Sequence, residues 1–246
     1  MRQTISIVNH KGGVGKTTSV SSLGVALARM GKRVLLVDLD AQGNLTDTLT
    51  QTPGDRSIYD SLRTLETLPV VNIREGLDLC PSSIDLVSMD LELADKKERE
   101  YRLSRLLRGL DYDFILLDCP PSLGLLTINA LTASTKVIIP LTPEALPAKG
   151  LGTLLDIIER TRETLNPGLS LGGILITRYN RRKINRLVEE TLRETFGDSV
   201  FKTKIRENVD ISESPLQCKD IYSYSPDSIG AKDYESLALE VVAKFE

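Results

Sequence analysis

The sequence predicts a doubly wound α/β fold, with a mostly parallel sheet carrying helices on both faces. Three observations predict it. Short runs that are apolar almost without interruption recur along the chain, stretches of helical period separate them, and strand and helix alternate throughout. A strand covered on both faces has no polar side, so it reads as a continuous apolar run rather than an alternating one.

In order, the first run is Thr4 to Asn9, followed by a glycine loop and a helix from Lys16 to Met30 that Gly31 ends. Its apolar residues Val20, Leu23, Ala26, Leu27 and Met30 recur at helical spacing. Val34 to Asp38 is the second strand. Residues 50 to 111 are less regular, and the charged run Asp95 to Arg102 reads as a solvated helix face. Phe114 to Asp118, Val137 to Leu141 and Leu171 to Thr177 are further strands. Helices are expected over Leu125 to Ala133, over Pro147 to Leu165 with Asn166-Pro167 as its stop, and over Asn185 to Phe196 with Gly197 as its stop. The last helix, Asp233 to Glu246, carries a core-facing stripe of Leu237, Ala238, Val241, Val242 and Phe245; its polar side holds four acids and one lysine.

Length and composition bound the function. With 246 residues, one domain spanning 1–246 is the expectation. An apolar content of 41% excludes intrinsic disorder, and no stretch of about 20 predominantly apolar residues is present to span a bilayer. Met1-Arg2-Gln3 leads straight into the first strand, so no secretory leader is expected and the cytoplasm is the expected compartment. Cys80, Cys119 and Cys218 are scattered and odd in number, which argues against a disulfide framework; they read as small buried hydrophobes. His10 is the sole histidine, so a Ser-His-Asp triad is disfavoured and a multi-histidine metal site is impossible. The chemistry must rest on Lys, Asp, Thr and backbone.

The loop after the first strand reads His10-Lys11-Gly12-Gly13-Val14-Gly15-Lys16-Thr17-Thr18. Strand, glycine loop, Lys-Thr and helix form the context of a phosphate-binding loop, in contrast to a plain glycine turn. Its glycines let backbone N–H groups converge on a phosphate, and the following helix adds its positive end. Lys16 would neutralise β- and γ-phosphate oxygens, and Thr17 would offer its hydroxyl to Mg²⁺. The strict spacing G-x-x-x-x-G-K-S/T fails, because His10 stands five before Gly15 and Lys11 follows it. A second lysine on the loop can reach phosphate charge beyond the chain's own Lys16; its plain alternative is a solvent-facing loop lysine.

Two strands end in aspartate. Val34 to Val37 delivers Asp38 and Asp40 to the carboxyl edge of the sheet, where α/β folds bind ligands, and the period of two places both on one side. One can hold Mg²⁺ while the other orients an attacking water; a turn rich in Asp, Gly and Asn is the other reading. Phe114-Ile115-Leu116-Leu117-Asp118 has the form of a Walker B strand, with Asp118 as an outer-sphere Mg²⁺ ligand.

The loop Lys-Gly-Gly-Val-Gly-Lys-Thr-Thr resembles the deviant Walker A box of the ParA/MinD ATPase family, a P-loop NTPase type. The resemblance spans nearly the whole chain: Asp38-Leu39-Asp40-Ala41-Gln42-Gly43-Asn44 is similar to the family's D-x-D-P-Q-x-N, with Ala41 where proline is common. Ser82 to Leu86, Asp118-Cys119-Pro120-Pro121, Asn208 to Pro215 and Tyr224 to Ser228 also match family segments. The resemblance implies that Lys11 crosses a nucleotide-sandwiched homodimer to the other copy's ATP, that Asp40 positions water, and that Asp38 is a metal or loop contact. It implies that Pro215 lies against the adenine; Asn180, after the strand Leu171 to Thr177, is a second base candidate. An ordinary surface loop is the alternative for both.

The net charge of −3 conceals a basic segment: Arg178 to Arg206 holds nine Lys or Arg against four acids. Without interleaved aromatics such a surface suits phosphate-backbone contact, or is a solvated helix face. In the family, non-specific binding of double-stranded DNA uses basic residues of this portion, so Arg181, Arg182, Lys183, Arg206, Lys219 and Lys232 are the candidates. Arg206 matches the arginine of the family's P-R-N-V, though Glu207 intervenes before the asparagine. The membrane-binding MinD branch would need a basic amphipathic last helix, and this one is acidic. The nitrogenase iron-protein branch would need cluster cysteines, and the larger ParA proteins a helix-turn-helix domain that is not expected here. The resemblance is therefore closest to short, Soj-like ParA proteins: a nucleoid-associated ATPase using ATP and Mg²⁺, slow by itself and stimulated by a ParB-type centromere-binding protein. The alternative is a MinD-like or cargo-positioning switch that acts without DNA.

Overall fold

The computed structural model describes residues 2–143 and 148–246. Seven strands form one sheet: β1 (Gln3–Ile7), β2 (Val34–Asp38), β3 (Val71–Arg74), β4 (Leu77–Cys80), β5 (Phe114–Asp118), β6 (Lys136–Leu141) and β7 (Ser170–Ile176), in the order β3-β4-β2-β5-β1-β6-β7. All neighbours are parallel except β3, which pairs antiparallel with β4 at the edge. The helices are α1 (Lys16–Arg29), α2 (Asn44–Leu49), α3 (Ile58–Thr64), α4 (Met89–Glu92), α5 (Arg102–Leu106), α6 (Leu125–Ala133), α7 (Ala148–Thr164), α8 (Lys183–Phe196), α9 (Val209–Glu213), α10 (Ile221–Tyr224) and α11 (Ile229–Phe245).

Continuous apolar strands feed two cores. Leu35 and Val37, Ile115 and Leu117 point to one face, against helices including α3, α6 and α8. Their neighbours Val34 and Leu36, Phe114 and Leu116 point to the other, against α1 and α11. Alternate residues of one strand thus enter different cores, which is why no polar period appears in them.

The structure differs from the sequence expectations in places. The edge hairpin β3-β4 turns at Glu75-Gly76, with Gly76 at φ +74°. The run Asp95 to Arg102 is not a helix face: it is turn and one 3₁₀ turn (Arg99–Tyr101), and Arg102 is buried, its guanidinium donating to the carbonyls of Leu62 and Arg63. Cys80 and Cys119 are buried as expected, whereas Cys218 is exposed. α11 starts earlier, at Ile229, because Ser228 caps it by accepting from the N–H of Ala231. Pro147, the expected start of α7, lies outside the described residues. Val200 and Arg206 make isolated bridges to Ile174 and Tyr179.

Candidate nucleotide site

The phosphate loop is tied down at both ends. Asn9 donates from Nδ2 to the carbonyl of Pro140 (2.7 Å), anchoring β1 to β6, and its Oδ1 accepts the N–H of Lys11 (3.0 Å). The Thr177 hydroxyl, just past β7, donates to the carbonyl of Val14 (2.8 Å). Gly13 and Gly15 take φ +72° and +85°, a left-handed conformation that side chains disfavour, and Gly15 is the N-cap of α1. In front of Gly12 and Gly13 nothing lies within 4 Å of where a Cβ would sit, so their backbone faces open space. Lys16 is buried and donates to the carbonyl of Lys11 (3.3 Å). Desolvation lowers its pKa, opposed by the neighbouring carboxylates Asp118 and Asp40. Lys11 is exposed, and its ammonium has no ion-pair partner among the described residues.

Asp38 and Asp118 end adjacent parallel strands and pair directly in register. β2 ends at Asp38, so Asp40 stands in the loop that follows it. Asp38 is fully buried; its Oδ2 accepts the Thr46 N–H (2.9 Å) and hydroxyl (2.7 Å), and its Oδ1 accepts the N–H of Asp40 (3.2 Å). It thus organises the loop that carries Asp40. Asp40 is half-buried and lines the cleft; its Oδ1 accepts the N–H of Gln42 (3.1 Å), and its carbonyl accepts from Ser82 (2.6 Å). Its Oδ2 has no partner among the described residues.

Asp118 is fully buried, and neither carboxylate oxygen has a hydrogen-bond partner among the described residues. The Thr17 hydroxyl and Lys16 are near enough to favour its charged form but do not complete such a bond. An orphaned buried carboxylate beside a threonine hydroxyl is what a cation would complete, so the residues fit Mg²⁺. No group of three or more His, Cys, Asp or Glu able to hold a metal occurs among the described residues. That suits an ion held largely by phosphates and water.

Burial pushes both carboxyl groups up, Asp38 to about 6; the charge of Asp38 raises Asp118 further, and that of Asp40 raises both. A carboxyl whose folded pKa exceeds its unfolded value binds extra protons in the folded state, so its ionisation destabilises the fold as pH rises towards the folded value. Without nucleotide or Mg²⁺, the protein should therefore gain from this pair as pH falls from 7 towards 5. The gain should be on the order of 1–3 kcal/mol. Thermal unfolding of the wild type against Asp118→Asn checks it: the variant should lose the part of the gain that Asp118 contributes, and an identical pH dependence would show that Asp118 contributes none.

The cleft over the loop has about 600 Å³, bounded by Gly12, Gly13, Lys16, Thr17, Asp40 and Pro121 among others. A second lobe of about 460 Å³ adjoins it through Gly13, Gly15, Thr18 and Pro215. Pro215, in a 3₁₀ turn (Ser214–Gln217), stands where the lobes join. Asn180 lines neither lobe; its amide donates to Glu207 (3.1 Å) and accepts the N–H of Arg182 (3.2 Å). Sequence reasoning missed Thr177, Arg178 and Asn208 in the second lobe. Arg178 carries φ +51°, which no local pattern announces.

The basic candidates separate. Arg181, Arg182 and Lys183 are exposed at the start of α8 with no ion-pair partner among the described residues, and Lys219 and Lys232 are exposed on other elements. Arg206 is committed: its Nε donates to both Asp233 oxygens (3.0 and 3.1 Å), its Nη2 to Oδ1 (2.5 Å) and its N–H to Oδ2 (2.8 Å). It lines the second lobe, beside Tyr234, whose hydroxyl meets that of Ser19 in α1 (3.2 Å).

Known proteins share this arrangement. A family model described as an AAA domain (AAA_31) matches residues 2–171. The chain is 44% identical to the chromosome-partitioning ATPase Soj of Treponema pallidum, covering 99% of this chain and 98% of that protein. It is also 44% identical to the sporulation initiation inhibitor protein Soj of Bacillus subtilis, covering 99% of each. Among solved structures, a Mycobacterium smegmatis protein described as cobyrinic acid a,c-diamide synthase, with bound ADP and magnesium, superposes with a TM-score of 0.84 at 37% identity, over 97% of this chain and 93% of that one. The septum site-determining protein MinD of Pyrococcus horikoshii, complexed with Mg-ADP, gives 0.79 at 28% identity, over 98% and 96%. With its glycine loop, second lysine and paired aspartates in place, and with relatives this similar over their whole length, the chain belongs to the Soj/ParA family of chromosome-partitioning ATPases.

Proposed function

We propose that this chain is an ATP-driven DNA-partitioning switch. ATP occupies the joined lobes, with its phosphates on the backbone of Gly12 to Thr18 and on Lys16, and its base near Pro215. Mg²⁺ would be held by the Thr17 hydroxyl and, through water, by Asp118, with Asp38 bracing the loop beside it; it supplies neutralisation of charge on the phosphates. Asp40 orients the attacking water. The ATP-bound chain dimerises, Lys11 reaching the other copy's γ-phosphate; the dimer binds double-stranded DNA non-specifically in the nucleoid, and a ParB-type protein stimulates slow hydrolysis and release. The observation that carries this reading is Lys11: exposed and without an ion-pair partner among the described residues, on a loop whose own phosphate lysine is already in place.

For DNA, the geometry supports Arg181, Arg182 and Lys183 best, with Lys219 and Lys232 as outlying contacts. Arg206 holds a wall of the base lobe through Asp233, so its charge is already matched within the chain. A gel shift with ATP and an arbitrary duplex at two salt concentrations tests the reading. Affinity should fall steeply with salt, and Arg182→Glu should weaken it on all sequences while flattening the log–log salt slope by about 1. ATP-dependent dimers that ignore DNA at both salt concentrations would leave the second reading, a positioning switch for a protein or membrane complex, which the likeness to a MinD structure favours. No described helix is long and apolar enough to cross a membrane. Turnover of a carboxylic acid with ATP would instead favour an amide-forming enzyme, the activity named for the Mycobacterium smegmatis structure.

A further inference from the structure

Two short helical faces break the usual pattern of an apolar inside and a polar outside. In the 3₁₀ turn Ile84–Ser88 and α4, Leu86, Met89 and Leu93 face the core, while Ile84, Val87 and Leu91 stand 65%, 71% and 81% exposed at spacings of three and four. In α8, Asn185, Val188 and Leu192 are buried, while Ile184 and Leu187 stand 43% and 53% exposed. Their charges are opposite. From Ile84 to Asp95 there are four acids and no base; from Arg181 to Val188 there are four bases and no acid.

We propose that these faces are the two halves of one contact between copies of this chain: the acidic-rimmed stripe of Ile84, Val87 and Leu91 receives the basic-rimmed face of Ile184 and Leu187 from a second copy. This rests on the ATP-dimer reading and says which surfaces close it. Both faces begin at the carboxyl edge of the sheet, the first after β4 and the second after β7, so they flank the nucleotide cleft on opposite sides. They are five strand positions apart, about 24 Å at the usual inter-strand spacing, so one chain cannot join them to each other. Two copies meeting by their carboxyl edges about a two-fold axis along the sheet normal bring each edge over the opposite edge of the other copy, and the contact forms twice. Asp90 then meets Arg186, leaving Arg181, Arg182 and Lys183 at the rim for DNA.

The acidic stripe is fastened to the cleft. Ser82, two residues before it, donates to the carbonyl of Asp40 (2.6 Å), and the Ser82 N–H donates to the Thr46 hydroxyl (3.0 Å), which itself binds Asp38. On the other side, a Cβ at Gly124, six residues past Asp118, would come 2.7 Å from Asp90 Oδ2. A contact made here is therefore felt by both loops that carry cleft aspartates.

The test is Val87→Cys with Leu187→Cys in a Cys218→Ser background, the other two cysteines being buried. Mild oxidation should give a covalent dimer with a non-hydrolysable ATP analogue and Mg²⁺ and little with ADP, the intrachain distance excluding an internal disulfide. Leu187→Glu should raise the dimer dissociation constant roughly tenfold or more, and Arg186→Glu, also weakening, should be restored to within about threefold by Asp90→Lys. An ATP dimer, seen by light scattering, that neither cross-links nor responds to these charges overturns the contact but leaves the dimer reading standing. Failure of the unaltered chain to dimerise with ATP overturns both.

Discussion

Replacing Asp40 by alanine should slow ATP hydrolysis by about 10²–10⁴-fold while ATP binding persists, so that the ATP-bound dimer accumulates. The reasoning is geometric. Asp40 is the aspartate whose carboxylate lines the cleft with an oxygen left over: Oδ1 accepts from Gln42, Oδ2 is unpartnered among the described residues, and the carbonyl is pinned by Ser82. A carboxylate held this way can orient a water without reorganising, and removing it deletes no contact that the loop needs to hold phosphate. Single-turnover hydrolysis beside equilibrium nucleotide binding separates the two effects. If Asp40→Ala instead loses ATP, the residue belongs to nucleotide binding and the assignment of water positioning falls.

The parts of the site that sequence made legible are those whose chemistry is local. Gly13, Gly15, Lys16 and Thr17 are contiguous, and Asp118 follows four apolar residues directly, so spacing alone placed them. Asp38 and Asp40 were legible as a pair, and the resemblance gave Asp40 the water and Asp38 a metal or loop contact; what spacing could not show is that Thr46, eight residues on, claims Asp38. Arg206 looked free because its partner, Asp233, is 27 residues away on another helix. The β3-β4 hairpin left only a faint signal: Val71-Asn72-Ile73-Arg74 alternates and Glu75-Gly76 turns, but Leu79-Cys80 breaks the alternation of the second strand. Its four-residue strands were too short to stand out in an irregular stretch.

The two loop lysines should part company when each is changed to alanine. Lys16→Ala should weaken ATP binding by roughly 100-fold or more, because Lys16 is buried at the start of α1, its charge is already disfavoured by desolvation, and a triphosphate is the partner that would relieve it. Lys11→Ala should leave the affinity of the single chain for ATP within about threefold, since an exposed ammonium with no fixed geometry adds little across solvent. It should nevertheless abolish ATP-dependent dimerisation. In a closed dimer the same ammonium would be desolvated against a second copy's γ-phosphate, where loss of one partner of a charge-assisted contact costs far more than at a surface. Titration calorimetry under monomeric conditions reads the first quantity and light scattering with ATP reads the second. A Lys11→Ala protein that binds ATP and still dimerises like wild type removes Lys11 from the interface, whereas one that loses ATP outright places it in the chain's own phosphate site beside Lys16.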